Sequence, residues 1–408
     1  MRIFTAVRHS TNSSYFYGGL WSSNFYPALQ KLGHEIIESQ TDLLPSSKFM
    51  QIADNFTSQE LEVRSQITQK IIDEVKQAHR HSPIDLFLSY FYNSHFDPAG
   101  FEEIHKLGIP TVNFYCNSIY QFELVSQISA KVNFSWHAEK LARENYLKVG
   151  ANPVWVQMGA DPDVYHPVEN INRQPKACFV GQRYADRDRL LANLITNQIP
   201  VDIYGSGWGV TVTPSKNSSK SQEEVKTEYL GRKLQIPGSL NSYAQTAWVF
   251  MQNEGAIAGL KRTIRQLNYR SQSRQLDSII AKSAYGFAES ITETFAKYQV
   301  ILNLSNVWSD GRPSSKLIPH VRLRDFEAPM CRTCYLTGYT DEIAEFYEIG
   351  KEIDTYSSPE ELVDKTRFYI NHPDEAEKLR QAGYQRALRD HTWECRFEQL
   401  FKEIQLKA

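Results

Sequence analysis

The chain has 408 residues, a length that favours two domains over a single hydrophobic core. Apolar residues make up 41% and charged residues 23%, which are ordinary values for a globular protein. The formal net charge of -2 leaves no global positive field. The composition therefore argues against a nucleic-acid-binding or membrane-coating protein.

The chain start and the cysteines both bear on location. The opening MRIFTAVRHS lacks the long apolar segment of a signal peptide, and no window approaches the length of a membrane-spanning helix. The five cysteines are odd in number and scattered, which argues against a disulfide framework. We therefore expect a cytoplasmic protein.

The first half of the chain alternates strand-like and helix-like segments. A buried strand is predicted at Arg2–Val7, a helix C-cap at Gly33 and a long amphipathic helix over Ser58–His79. Later segments with strand character are IDLFLSYF, IPTVNFYC and VNFSW. This alternation predicts parallel βαβ units and a doubly wound sheet.

A segment rich in proline, NPVWVQMGADPDVYHPV, predicts a linker, after which the strand–helix pattern starts afresh. We therefore predict an N-terminal domain over 1–168 and a second open α/β domain over 169–390. A region at about 210–285 breaks the rhythm and is interpreted as an insertion. It begins as a polar loop and continues as a basic, helix-forming segment.

Ligands of doubly wound sheets bind beyond the carboxyl ends of the strands. Gly181 follows the strand ACFV, where backbone N–H groups and the next helix N-terminus favour an anion. Arg183 and Arg187 have the charge to bond phosphate oxygens. Gly205 follows VDIY in a similar loop. Tight turns with surface arginines explain the same residues.

The segment LRDFEAPMCRTCY places charged residues directly before a small apolar helix. A carboxylate at Glu327 can accept both hydroxyls of a ribose, while Arg322, Arg324 and Lys316 can neutralise a diphosphate. Two other interpretations stay open, namely an internal Arg–Glu pair and a carboxylate that only complements the helix dipole.

In the first half, His95 and Asp97 follow the strand DLFLSYF within YNSHFDP. Both are candidates to contact the sugar or the reacting hydroxyl, and a polar surface loop is the alternative. Cys331 and Cys334 lack a second pair to complete a zinc site, so we predict packing and no metal. The basic run over Lys261–Arg274 indicates either a solvated helix face or a contact with acidic lipid or a charged acceptor.

From about Pro153 the chain resembles the GT-B glycosyltransferases (glycosyl transferases group 1), specifically the group named for the spore maturation protein CgeB. The N-terminal half matches in pattern alone. The matching segments are NPVWVQMGADPDVYHPV, ACFVGQRYADRDRLLANL, VDIYGSGW, VILNLS, LRDFEAPMCRTCYLTGY and the run from EIGKEIDTY to RDHTWECRFEQL.

The resemblance implies two Rossmann-like domains facing a cleft, with the acceptor on the N-terminal side and the donor on the C-terminal side. It implies that a final helix over 391–408 returns to the first domain. It also gives Glu327 the ribose contact and Arg183 a phosphate contact. The chain departs from the pattern of this family at two positions. Pro319 occupies the position of the first of two glutamates, and Arg187 or Arg189 replaces a lysine that often follows the phosphate-binding arginine.

The implied activity is transfer of a sugar, of hexosyl type, from a nucleoside-diphosphate sugar to an acceptor hydroxyl without metal or cofactor. Arg183, Lys316 and the helix N-terminus would stabilise the departing diphosphate. His95 or Asp97 would act as base, unless the proton passes to the phosphate. The acceptor is a saccharide, a lipid-linked molecule or a small molecule in polysaccharide or glycosylated-metabolite synthesis. The alternatives are a catalytically silent nucleotide- and partner-binding protein and a GT-B sugar-nucleotide epimerase.

Overall fold

The computed structural model describes residues 1–8, 19–50, 55–209, 256–311, 313 and 315–406. These residues divide into two units, an N-terminal unit of 1–158 and 393–406 and a C-terminal unit of 159–209 and 256–392. The N-terminal unit thus ends at Met158 rather than at 168, and the chain returns to it at Trp393.

The N-terminal unit is built on one parallel sheet with the strand order β2-β1-β3-β4-β5-β6. The chain order reverses beside β1, as in a doubly wound fold. The strands are β1 Arg2–Ala6, β2 Glu35–Glu38, β3 Leu86–Ser89, β4 Thr111–Tyr115, β5 Phe134–His137 and β6 Pro153–Trp155. The α-helices of this unit are Tyr26–Lys31, Leu44–Ser47, Ser58–His81, Phe101–His105, Ser118–Gln121, Ser126–Ser129, Arg143–Lys148 and Trp393–Glu403.

The longest helix of this unit begins at a capping box. The Thr57 side chain accepts from the Glu60 N–H at 3.3 Å, and the Thr57 N–H donates to the Glu60 carboxylate at 2.7 Å. Ile67, Ile71 and Val75 recur along one buried face of this helix, which packs in the same core as β1 and β3. The predicted amphipathic helix is therefore present over Ser58–His81.

Aromatic side chains join the last helix, Trp393–Glu403, to the N-terminal unit. Phe397 is buried, and its ring centroid lies 5.2 Å from that of Phe25 and 5.7 Å from that of Trp136. Trp393 contacts Phe25 at 4.5 Å. The C-terminal helix is thus part of the hydrophobic core of the first unit.

The C-terminal unit has a five-stranded parallel sheet with the order β13-β12-β9-β7-β8. A short antiparallel hairpin, β10-β11, follows β9 and was not predicted. The strands are β7 Gln174–Val180, β8 Val201–Tyr204, β9 Tyr298–Asn303, β10 Val307–Trp308, β11 Leu317–Ile318, β12 Tyr335–Gly338 and β13 Asp354–Tyr356. The α-helices of this unit are Arg187–Thr196, Ala256–Gln275, Asp277–Ile280, Ile291–Ala296, Arg324–Met330, Pro359–Asn371 and Pro373–Asp390.

Both sheets are parallel and carry helices between successive strands, so the predicted α/β class is confirmed. β9 is buried along its whole length, as expected for a central strand covered on both faces. Part of the predicted insertion, 210–255, lies outside the described residues, and Ala256–Gln275 is helical as predicted. No helix in the described part of the chain is long and apolar enough to cross a membrane.

We expect Phe397→Ala to lower the free energy of unfolding by about 3–5 kcal/mol, because it empties a site between Phe25 and Trp136. Urea denaturation followed by tryptophan fluorescence measures this loss. The matched control is Phe368→Ala, whose side chain is 44% exposed and should cost less than about 1 kcal/mol. Equal losses in the two variants would contradict the assignment of the last helix to this core.

Candidate anion site in the C-terminal unit

The C-terminal sheet reverses its chain order between β7 and β9. β8 lies on the outer side of β7, while β12 and β13 lie beyond β9. In open α/β sheets this switch point opens a crevice at the carboxyl ends of the two strands. The loops that follow β7 and β9 are therefore the place to look for a ligand site.

Arg187 joins these two loops. It is the first residue of the helix Arg187–Thr196, and its side chain is only 9% exposed. The guanidinium donates to the Gln182 carbonyl at 2.8 Å and to the Leu304 carbonyl at 2.9 Å. One backbone carbonyl belongs to the loop after β7 and the other to the loop after β9.

A second guanidinium adds to the positive charge. Arg322 makes a long contact from Nε to the Ser305 carbonyl at 3.5 Å. Burial and the neighbouring Arg322 lower the pKa of Arg187 to about 10, so Arg187 stays protonated at neutral pH. Burial and both arginines hold the pKa of His320 well below its usual value, which keeps this imidazole neutral.

Negative charge is scarce around this pair. Among the described residues, no carboxylate lies within ion-pair distance of Arg187 or Arg322. Asp186 is near, but burial raises its pKa and its carboxylate accepts a hydrogen bond from Asn306 at 2.7 Å. The arrangement is an excess of positive charge at the switch point, buried at Arg187 and half-buried at Arg322, which favours an anionic ligand.

Neutral donors border the same crevice. The buried Ser305 hydroxyl makes no hydrogen bond to any residue that the structure describes. Gly338, at the end of β12, leaves room for it, because a Cβ there would lie 3.1 Å from the Ser305 oxygen. The N-terminus of the helix Arg187–Thr196 adds a dipole of the same sign. Ser305 was not among the residues predicted from the sequence, although its place two residues after the strand VILN was a usable signal.

Arg183 lies in the loop after β7, as predicted, and its side chain is paired within the protein. Its guanidinium pairs with Asp188 at 3.2 Å and Asp277 at 2.6 Å, and it donates to the Ser273 carbonyl at 2.5 Å. Two carboxylates therefore neutralise it. Its contacts are those of a residue that fastens the helix Ala256–Gln275 to the loop after β7, and phosphate binding by Arg183 stays a prediction.

The predicted glycines bring two loops into contact. Gly205 has a φ of +129°, and a Cβ at this position would lie 2.2 Å from the Gly181 carbonyl oxygen. The Trp208 indole N–H donates to the same carbonyl at 2.8 Å. Only glycine fits here, so these residues set the approach of the loops after β7 and β8.

Glu327 and Arg324 form the internal pair that the sequence left open. Their charged atoms lie 2.8 Å apart, and Glu327 is buried. Burial raises the pKa of Tyr165, and a hydrogen bond to Glu327 adds to the shift. Ribose binding by Glu327 stays a prediction.

Asp325 organises the start of the helix Arg324–Met330. Its buried carboxylate accepts from Asn303 at 3.1 Å, Tyr335 at 2.9 Å, Thr337 at 2.9 Å and the Arg322 N–H at 2.6 Å. Burial raises its pKa, and the four donors act against the shift. Asp325 thereby ties β9, β12 and the Arg322 backbone together, a role that sequence reasoning missed.

The remaining candidates of this unit are more exposed. Lys316 directly precedes β11. Its carbonyl accepts a hydrogen bond from the Ser309 N–H at 2.8 Å, and its side chain is exposed. The aromatic rings of Tyr285 and Phe287 are also exposed, beside the end of β8, where the Tyr285 N–H donates to the Ile203 carbonyl at 2.9 Å. Exposed rings at a strand end can stack on a planar ligand.

His95 and Asp97 follow β3, as predicted, but they do not present free groups. His95 is fully buried, with Nε2 3.0 Å from the Ser47 hydroxyl and Nδ1 accepting from the Tyr92 N–H at 3.3 Å. Asp97 caps a short 3-10 turn through the Ala99 N–H at 3.1 Å. These contacts favour structural roles, and catalysis by either residue stays a prediction.

His137 closes β5 and is also fully buried. Its Nδ1 lies 3.0 Å from the Glu139 carbonyl and must therefore carry the proton, which leaves Nε2 as an acceptor without a described partner. The ring stacks on Tyr146 at 4.9 Å. Burial lowers the pKa of His137 to about 4.

Among the described residues, no group of three or more His, Cys, Asp or Glu side chains is placed to hold a metal ion. Cys331 and Cys334 are both buried thiols. Burial raises the pKa of each, to about 12 for Cys334. Their burial agrees with the packing role predicted for this pair.

Comparison with known proteins supports this architecture. A family model described as Glycosyl transferase-like matches residues 256–402. No curated protein matches the chain significantly. The match covers the part of the C-terminal unit that contains β9, Arg322 and the helix Arg324–Met330.

Solved structures match over nearly the whole chain. Anabaena HepE in complex with UDP and glucose is 11% identical, with a TM-score of 0.54 and coverage of 99% of each chain. A glycosyltransferase from Rickettsia africae is 11% identical, with a TM-score of 0.56 and coverage of 100% of this chain and 99% of its own. Sucrose-phosphate synthase from Thermosynechococcus elongatus is 11% identical, with a TM-score of 0.53 and coverage of 99% of each chain. At this identity the likeness shows the fold, which is GT-B.

We expect Gly205→Ala to lower the free energy of unfolding by at least about 3 kcal/mol, because its Cβ collides with the Gly181 carbonyl. Gly209→Ala is the matched control, since it has a φ of +83° and nothing within 4 Å of an added Cβ. This control should cost about 1 kcal/mol. Thermal denaturation compares the two, and similar losses would contradict the close approach of the loops.

The pKa of His137 predicts an acid-sensitive stability. Above pH 6.5 the ring is neutral in both states, whereas between pH 6.5 and about 4 only the unfolded chain binds the proton. The free energy of unfolding should therefore fall by about 3 kcal/mol across this window. Asn keeps a donor for the Glu139 carbonyl, so His137→Asn should lose this part of the pH dependence, while His81→Asn on an exposed helix end should keep it. The free energy of unfolding is measured by urea denaturation at several pH values. If it falls equally with pH in both variants, the pH dependence does not come from His137.

Proposed function

We propose that this chain is a glycosyltransferase that moves a sugar, of hexosyl type, from a nucleoside-diphosphate sugar to an acceptor hydroxyl. The observation that carries the proposal is the pair of guanidiniums, Arg187 and Arg322, at the switch point of the C-terminal sheet without a described carboxylate partner. The GT-B fold and the glycosyltransferase-like family match over 256–402 agree with it.

The chemistry of sugar transfer makes demands that this pair can meet. Breaking the bond between the sugar and the diphosphate builds negative charge on the leaving oxygen. Arg187 is fixed by two backbone carbonyls before any ligand arrives, so little reorganisation is needed. Its burial lowers the local dielectric, which strengthens attraction to a diphosphate. Arg322, the Ser305 hydroxyl and the helix N-terminus would add donors around the phosphate oxygens.

Metal-independent transfer belongs to the same proposal. A pair of guanidiniums can neutralise the negative charge of a departing diphosphate, as a divalent metal ion does in other enzymes. Arg187 and Arg322 supply two positive charges at this crevice, which supports catalysis by the side chains themselves. Turnover measured in a chelating buffer is the direct check.

The proposal extends to the base of the donor nucleotide and to the residue that contacts its ribose. The HepE crystals contain UDP, which makes uridine nucleotides the first to test. A carboxylate has about four acceptor positions, so Glu327 can bind Arg324 and Tyr165 and still accept a ribose hydroxyl. The exposed rings of Tyr285 and Phe287 would offer a stacking surface for the base. Membership of the CgeB-like group and a cytoplasmic location are proposed on the resemblance alone.

The experiment that tests the function is a thermal-shift screen against nucleoside diphosphates and their sugars in EDTA. A ligand at about 100 times its Kd should add about 2.7 kcal/mol to the free energy of unfolding. Release of the free diphosphate from the responding donor, with an acceptor panel, then separates a transferase from a silent binding protein. No response to any nucleotide would overturn the proposal.

Arg322→Gln should weaken binding of the responding diphosphate by about 10- to 100-fold, since one charge-assisted contact is lost. The only described hydrogen bond of the Arg322 side chain is long, so the free energy of unfolding should hardly change. Arg367→Gln, on an exposed helix face, is the matched control and should bind normally. Calorimetric titration measures both. Unchanged affinity in Arg322→Gln would place the diphosphate elsewhere.

A further inference from the structure

The helix Ala256–Gln275 is inverted relative to an ordinary surface helix. Its inward face makes polar contacts, since the Tyr269 hydroxyl donates to the Ala185 carbonyl at 3.1 Å and the Ser273 hydroxyl bonds the Asp188 carboxylate. The Tyr269 ring also packs edge-on against Trp308, with 5.8 Å between the ring centroids. Arg183 donates to the Ser273 carbonyl near the end of this helix and pairs with Asp277, which lies two residues beyond it. Polar contacts therefore hold the helix to its own unit.

The outward face of this helix is apolar. Four aliphatic side chains follow one another at intervals of three, four and three residues, which places them on one stripe. They are Ile257 at 74%, Leu260 at 53%, Ile264 at 49% and Leu267 at 41% exposure. Scattered exposed apolar residues are normal, but four in line on one helix mark an interaction surface.

Positive charge accompanies the stripe. The sequence of the helix holds five basic residues and no acidic one. Lys261, Arg265 and Arg274 are exposed along with the stripe. An aliphatic stripe beside Lys and Arg is the pattern of a helix that lies in the interface of a membrane.

We propose that the helix Ala256–Gln275 docks this protein on a bilayer of anionic lipids. The aliphatic stripe defined by Ile257, Leu260, Ile264 and Leu267 enters the boundary between headgroups and acyl chains. The flanking cations lie at the level of the lipid phosphates, where their attraction adds to apolar burial. The charge complementarity selects an anionic bilayer over an apolar protein partner. This inference stands apart from the sugar-transfer proposal, since it uses neither Arg187 nor Arg322.

Vesicle flotation with the full chain tests the proposal. The wild type should float with phosphatidylcholine vesicles that contain about 30% phosphatidylserine and much less with pure phosphatidylcholine, and 0.5 M salt should reduce the binding. Leu260→Ser/Ile264→Ser should bind at least about tenfold more weakly, because two aliphatic side chains no longer enter the bilayer. Thermal denaturation verifies that this variant is folded.

The matched control removes two exposed leucines elsewhere. Leu141 and Leu147 are 66% and 45% exposed on the N-terminal unit, and Leu141→Ser/Leu147→Ser should float like the wild type. Absence of wild-type binding would overturn the proposal, and so would equal binding to neutral vesicles. Light scattering in parallel detects a second copy on the stripe, and a dimer that Leu260→Ser/Ile264→Ser dissociates would also overturn it.

Discussion

The buried guanidinium of Arg187 determines the geometry of two loops in the C-terminal unit. The Arg187 guanidinium bonds two backbone carbonyls, one in each loop at the switch point, and the carbonyl dipoles offset only part of its charge. Because the guanidinium is planar, it holds the Gln182 and Leu304 carbonyls at a defined separation, which a lysine could not do. The geometry of both loops therefore depends on this side chain, and so does the demand for an anion between them.

A buried carboxylate performs the complementary task on the other side of β9. Asp325 accepts four hydrogen bonds and holds the Arg322 backbone against β9 and β12. Arg187 and Asp325 thus fix the two ends of the loop after β9 through opposite chemistry. Both networks hold their side chains in place without a ligand, so a ligand meets groups that are already oriented and loses little affinity to their ordering.

The alternation of strand and helix was readable from the sequence because each element keeps its own period over several residues. The roles of Arg183 and Arg187 were not. Both follow Gly181 at short range, but only Arg183 pairs with carboxylates. One of them, Asp188, is local, and the other, Asp277, comes from a distant part of the chain. Similarly, His95 was placed correctly after its strand, but it is buried and its Nε2 contacts the Ser47 hydroxyl, which no local pattern links to it. Local spacing in the sequence predicts which loops border a site. Contacts between residues far apart in the chain determine which side chains of those loops can still bind a ligand.

The return of the chain to its first unit has a consequence for synthesis. Residues 1–158 are translated before the C-terminal unit, yet their core around Phe25 and Trp136 includes Phe397 from the helix Trp393–Glu403. The C-terminal unit, whose residues end at Thr392, is fully translated before that helix exists. Of the two units, the one that is translated earlier is therefore the later to close its core. During translation its aromatic surface stays open to chaperones and to neighbouring nascent chains.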